Sequence, residues 1–203
     1  RRIKSTYGKK AIVINYPIDT SKFIYSNSKE DYFLASARMI GYKRLDIIVE
    51  AFNWLGWQLK ISGDGPERER LQSKALKNIE FVGHVSDLER TQLFAKAKSV
   101  IVAALEDYGL VPVEANASGT PVVAFGAGGV LDTQVPGKTG VFFKRQTPDS
   151  LQTALLEARE IYWNYENIRN HAVANFSEEA FFSKVEQVID QTNGLQRSQS
   201  LIC

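Results

Sequence analysis

Six short runs of β-branched and aromatic residues, separated by amphipathic stretches, constrain the fold of this chain more than any other feature. They are Ala11 to Ile14, Tyr32 to Ser36, Trp57 to Ile61, Ile79 to Val82, Val100 to Ala103 and Val122 to Phe125. The stretches between them place apolar residues at helical spacing, as in Leu45, Ile48, Val49 and Phe52, or Leu88, Leu93, Phe94 and Ala97. Short strands alternating with helices imply βαβ units. Strands that are apolar on both faces must be covered on both faces, which crossover helices do for a parallel sheet. The expected fold is α/β, a Rossmann-like three-layer α/β/α sandwich with a mainly parallel sheet.

At 203 residues the chain can bury roughly 70% of its unfolded surface, enough for one substantial core. The sandwich is expected over residues 11–191. It includes late helices at Asp149 to Tyr162, Glu166 to Ala174 and Glu178 to Gln191, with Pro148 and Ser177 as starts for the first and last. Residues 192–203 are polar and patternless and predict a disordered tail. Residues 1–10 read as the end of an interdomain linker. Because position 1 is Arg and the only methionine is Met39, the sequence is expected to be a fragment.

Charge excludes one class of partner. Lys and Arg number 25 against 23 Asp and Glu, so no net field holds a polyanion by counterion release, and nucleic acid is not expected. The one cysteine, Cys203, permits neither an internal disulfide framework nor a Cys-rich metal site and fits a reducing, cytoplasmic setting. No apolar run reaches the ~20 residues needed to span a bilayer. The basic run Arg1, Arg2, Lys4, Lys9 and Lys10 is sufficient for peripheral contact with anionic lipid at the inner face of a membrane, but a solvated linker is the simpler reading.

Ligands of open parallel sheets bind beyond the carboxyl ends of the strands, so the residues after each run carry most information. Val100 to Ala103 is followed by A-L-E-D-Y-G-L-V-P-V-E-A-N-A-S-G-T-P, ending at Pro121. Gly109 allows close backbone approach, Pro112 suits a first helical turn, and Gly119 is a helix stop. A helix is expected to begin near Leu110, with its free N–H groups and positive dipole end facing the strand ends, a site for phosphate oxygens. Glu106 and Glu114 bracket that start. A glycosidase pair would need carboxyl groups about 5 to 9 Å apart, whereas eight residues of helix span about 12 Å. Separate tasks are therefore expected, one carboxylate for a ribose diol and the other for sugar hydroxyls.

The segment E-D-Y-G-L-V-P-V-E-A-N-A-S-G-T-P-V-V-A resembles the signature of the group 1 glycosyltransferases, a retaining family with the two-domain GT-B fold. The resemblance runs from about Ala11 to Phe143. It takes in P-I-D-T-S-K-F at Pro17 to Phe23, G-D-G-P-E at Gly63 to Glu67, and G-G-V-L-D-T-Q-V-P-G-K-T-G at Gly128 to Gly140, in family order. It implies that Glu114 binds the ribose hydroxyls, that Glu106 contacts the donor sugar, and that the amides of Gly109, Leu110 and Val111 cradle the diphosphate.

A-S-A-R-M-I-G-Y-K-R-L-D, after the strand ending near Ser36, offers Arg38 and Lys43 to one pyrophosphate, a forked donor and a point charge. It resembles the family's G-R-x4-K site with Ala37 in place of Gly, which implies that both cations stabilise the departing nucleoside diphosphate. Arg44 is kept outside the site. In F-V-G-H-V-S-D-L-E-R, Ser86 is a helix N-cap candidate, and the resemblance implies that backbone near Val85 packs on the nucleotide base. His84 and His171 are given no role. The turn carrying Gly63 is expected to shape the donor pocket.

Two motifs fail on inspection. G-D-G-P-E-R is not the G-x-G-x-x-G fingerprint, and P-G-K-T-G lacks a P-loop's first glycine, Asp132 standing in its place. No Asp-x-Asp or His/Cys spacing points to a metal, so neither a cofactor nor a metal is expected. The resemblance implies transfer of a hexose from GDP-mannose or a UDP-sugar to a glycan or lipid-linked acceptor held by a preceding N-terminal domain, and inactivity without that domain. The wording around Glu106 to Ala115 looks closest to mannosyl-type transferases. A nucleotide-sugar epimerase, a phosphorylase-like half domain and a non-catalytic nucleotide-binding module are the competing readings.

Overall fold

The computed structural model describes residues 2–200. Among them the strands are β1 (Phe33–Ser36), β2 (Leu59–Ser62), β3 (Ile79–Gly83), β4 (Val100–Val102), β5 (Val122–Phe125) and β6 (Gly140–Phe143). The helices are α1 (Arg2–Tyr7), α2 (Leu45–Leu55), α3 (Arg68–Gln72), α4 (Asp87–Lys96), α5 (Leu110–Ala117), α6 (Val130–Thr133), α7 (Pro148–Glu160), α8 (Tyr165–Phe176) and α9 (Glu178–Ser200). The strands form one sheet in the order β3-β2-β1-β4-β5-β6, with every neighbouring pair parallel. The Rossmann-like three-layer α/β architecture expected from the sequence is therefore what the chain adopts.

Alternation along the strands explains the layers. Phe33, Ala35, Ile101 and Val123 face a core shared with Ile48 and Phe52 of α2 and Leu151 and Leu155 of α7. Leu34, Val100, Val122 and Ala124 face the opposite core, with Phe94 of α4 and Ala115 of α5. Successive side chains of a strand point to opposite faces, and both faces here are apolar.

Five of the six predicted runs become strands, and the first is a correction. Ala11 to Ile14 carries no regular structure, and Ile12 and Val13 are 56% and 77% exposed. A β-branched run prefers extended backbone but becomes a strand only by pairing, and the sheet edges here are β3 and β6. The sixth strand, β6, is absent from the predicted runs and pairs with β5.

Helix starts follow local chemistry. Ser86 caps α4 in a reciprocal capping box with Glu89. Thr147 caps α7 with Pro148 in its first turn, and the Ser177 hydroxyl accepts from the Ala180 amide at 3.1 Å, at the start of α9. The tail expected from Thr192 is helical as far as Ser200; residues 201–203 lie outside the described residues. The linker expected at residues 1–10 includes the short helix α1.

Candidate functional site

Chain order reverses between β1 and β4, the neighbours at the middle of the sheet. In such sheets the two connections leave in opposite directions and open a crevice at the carboxyl ends of the strands. A cavity of about 330 Å³ lies there, lined by Ser36 at the end of β1 and Ala37 after it, Ala103 and Ala104 after β4, and Gly109 to Pro112 at the start of α5. Lys43 and Glu106 reach the same cavity and form an ion pair, their side chains 18% and 22% exposed.

Backbone geometry holds each wall. The loop bearing Glu106 is fixed because its carbonyl accepts from the Gly129 amide at 2.8 Å, and the Tyr108 hydroxyl donates to the Tyr16 carbonyl at 2.9 Å. Gly109 has φ +81°, a left-handed turn that swings the chain into α5 where expected. Helix geometry leaves the first-turn amides without intrahelical acceptors, so Leu110 and Val111 offer N–H groups and the positive dipole end beside the cavity. The Gln146 side chain donates to the Ala103 carbonyl at 2.8 Å and ties down the end of the β4 wall.

The sequence-predicted residues divide. Lys43, Glu106, Gly109, Leu110 and Val111 line one cavity, whereas Arg38, Gly63, Val85 and Glu114 do not. Arg38 follows Ala37 on the rim, exposed and without an ion pair among the described residues. Gly63, at φ +117°, lies so close to Ala37 that a side chain would collide with its carbonyl. The adjoining backbone is stitched by Ala37 to Ser62 at 3.0 Å and Met39 to Asp64 at 2.8 Å. Val85 lies in the turn between β3 and the Ser86 cap. Arg44 pairs with Asp46 at 3.1 Å, away from the cavity.

Glu114 follows Leu110 by four residues, just over one helical turn, and so shares its stripe of α5, about 6 Å further from the strand ends. It is 12% exposed and paired with Arg90 of α4. Burial raises its pKa above the usual carboxylate value, while the Arg90 guanidinium opposes the shift. Sequence reasoning missed Arg90. The S-x-x-E capping box marks Ser86 as the start of α4 and so places Arg90 one turn in, but nothing in the sequence sets which neighbouring helix it faces.

Among the described residues, no group of three His, Cys, Asp or Glu is gathered as a metal site, and no helix is long and apolar enough to cross a membrane.

A parallel sheet with this strand order and a charged cavity at its switch point makes the chain a Rossmann-like α/β domain. It belongs to the glycosyl transferases group 1, whose family model matches residues 18–179. An uncharacterized glycosyltransferase of Methanocaldococcus jannaschii is 26% identical over 153 residues, covering 73% of this chain and 43% of that protein. The solved structure of Anabaena HepE in complex with UDP and glucose matches with a TM-score of 0.75 at 20% identity, over 88% of this chain and 56% of that one. Sucrose-phosphate synthase from Thermosynechococcus elongatus matches with a TM-score of 0.77 at 22% identity, over 96% and 56%. These solved neighbours are GT-B glycosyltransferases, and the likeness to them is one of fold. The chain spans about half the length of each of these three proteins.

Proposed function

We propose that this domain binds the nucleoside diphosphate of a nucleotide-sugar donor, and that the longer protein transfers a hexose from it with retention to a glycan or lipid-linked acceptor. The observation that carries the reading is the meeting of Lys43, Glu106 and the first turn of α5 in one cavity at the switch point, in a chain of this family. A UDP-sugar or GDP-mannose is the donor class; the Anabaena relative solved with UDP and glucose favours the former.

Transfer builds positive charge at the anomeric carbon while negative charge moves onto the leaving diphosphate. Lys43 and the amides of Gly109, Leu110 and Val111 meet the diphosphate, and Arg38 closes over it from the rim. Preorganised donors of this kind act where charge develops and lower the barrier electrostatically. Glu106, released as Lys43 turns to phosphate, accepts hydrogen bonds from the sugar hydroxyls. Glu114 takes the ribose diol, the backbone at Val85 packs on the base, and Gly63 permits the close approach of the loop under Arg38. The diphosphate charge is met by cations and amides, so the reading includes no metal or cofactor. The acceptor is bound by a second wall that this domain does not itself provide, and transfer by this chain alone is not expected.

Calorimetry with UDP and GDP tests the reading. Either nucleotide should bind this chain, and Lys43→Ala should weaken binding at least tenfold. Binding of neither, or binding indifferent to Lys43→Ala, would overturn it.

A further inference from the structure

A second and larger cavity, of about 680 Å³, opens at the amino ends of the central strands. Its lining includes Phe33 at the start of β1, Ser99 before β4 and Gln58 before β2. The donor cavity takes in Ser36 and Ala103, at the far ends of β1 and β4. A four-residue strand is about 13 Å long, so the two cavities open at opposite ends of the same strands. Its volume lies within the roughly 300–1,000 Å³ of small-molecule sites.

The chemistry of its walls is specific. The charged residues lining it are Lys29, Lys98 and Arg159 against Asp31 alone. Asp31 is 89% exposed and pairs with Lys98 at the rim, an ion pair of a kind that contributes little and rearranges readily. Arg159 makes no ion pair among the described residues; its guanidinium sits 5.4 Å over the ring of Trp57, which stacks on Phe33 at 5.4 Å. Lys29 is the most telling group. Its ammonium donates to the Ala95 carbonyl at 2.8 Å and the Thr120 hydroxyl at 2.7 Å and lies 4.8 Å from the centre of the Tyr165 ring, with no carboxylate partner among the described residues. A half-buried cation without a counter-charge is unfavourable, and burial with the nearby Lys96 pulls its pKa to about 7. Trp163, whose indole N–H is already given to the Ala158 carbonyl at 2.9 Å, and Tyr165 contribute ring surface to the same cavity.

We propose that this cavity is a second ligand site that takes a short acidic oligosaccharide, with sugar rings on Trp163 and Tyr165 and carboxylate or phosphate groups on Lys29, Lys98 and Arg159. Aromatic rings pack on the C–H faces of sugars while their polar rims stay wet, and three cations against one carboxylate leave an excess of positive charge for an anion to neutralise. Twice the volume of the donor cavity fits more than one sugar ring. Holding a glycan at the remote ends of the strands keeps it at high effective concentration without occupying the donor site.

The test is titration of the full chain at pH 6, where Lys29 is charged, with tri-galacturonate, maltotriose and inorganic phosphate, followed by the tryptophan indole resonances. Trp57 and Trp163 should shift with tri-galacturonate, while Trp54, exposed on α2, should not. Arg159→Gln, a change at an exposed side chain, should weaken that binding at least tenfold with the fold intact, and UDP affinity should be unchanged. Absence of a shift at Trp57 and Trp163 would overturn the proposal. So would equal binding of maltotriose, which would remove the role of charge, or equal binding of phosphate alone, which would remove the role of the sugar. UDP binding is read separately, so loss of the donor reading and loss of this one are distinguishable.

Discussion

Lys43 and Glu106 pair with each other across the cavity between the ends of β1 and β4, so the cation proposed to meet a diphosphate is already occupied. An anion entering the cavity must compete with Glu106 for Lys43 and approach a second negative charge. Removing the carboxylate charge relieves both costs. Glu106→Gln is expected to tighten binding of inorganic pyrophosphate severalfold, whereas Lys43→Met should weaken it at least tenfold. Calorimetry at fixed ionic strength reads both, because these terms depend on salt. On the proposed function, Glu106→Gln should still reduce turnover in a protein that carries this domain and transfers sugar, since the proposed contact with the sugar hydroxyls is lost. Weaker pyrophosphate binding by Glu106→Gln would show that the pair is structural.

Gly63 is a backbone requirement rather than a side-chain choice. Its φ of +117° is costly for an L side chain, and a Cβ would run into the Ala37 carbonyl. The Gly63 amide also donates to the Gly83 carbonyl at 2.7 Å, which anchors this loop to the end of β3. Gly63→Ala should therefore destabilise the domain by roughly 1–3 kcal/mol and displace the loop that carries Arg38. Urea denaturation measures the first effect. A midpoint equal to that of the unsubstituted chain would mean that the loop opens without penalty.

Much of this was legible in the sequence, for identifiable reasons. Parallel strands buried on both faces leave apolar runs that need no partner to be recognised, as at Val100 and Val122. The turn from Glu106 to Val111 was legible because Gly109 supplies a left-handed φ and Pro112, three residues on, is tolerated in a helix only within its first turn. Pairing across the sheet was not legible. Ala11 to Ile14 has strand composition and no strand beside it, while Gly140–Phe143 becomes β6 because β5 presents an edge. Contacts between helices were hidden as well, so Glu114 was identified without Arg90, its partner from α4. Arg38 was grouped with Lys43 by sequence, yet only Lys43 reaches the cavity.

The Arg90 to Glu114 pair carries a pH signature. Burial raises the Glu114 pKa above the ordinary 4.5, and Arg90 opposes that shift. A carboxyl whose folded pKa is raised penalises the fold above that pKa, and the penalty disappears as pH falls below the unfolded value. Arg90→Gln removes the opposing charge and should push the Glu114 pKa higher, reducing stability at pH 7 by about 1–3 kcal/mol. The deficit should shrink as the pH is lowered to 4. Urea unfolding at both pH values checks this, and an equal deficit at both would assign the loss to packing.

Lys29 should produce the opposite trend on the alkaline side. Its ammonium is held by Ala95 and Thr120, but burial and Lys96 still lower its pKa from 10.5 to about 7. The unfolded chain therefore binds a proton that the folded chain releases, and stability from this group rises with pH between about 7 and 10.5. The slope is at most about 1.4 kcal/mol per pH unit for one proton. Lys29→Met removes the titration while keeping most of the stem's packing, so the stability of the unsubstituted chain relative to Lys29→Met should improve from pH 6.5 to pH 9. Thermal unfolding of the two proteins across that range measures the difference. Parallel curves would mean that Lys29 stays charged throughout, its two hydrogen bonds outweighing the loss of water.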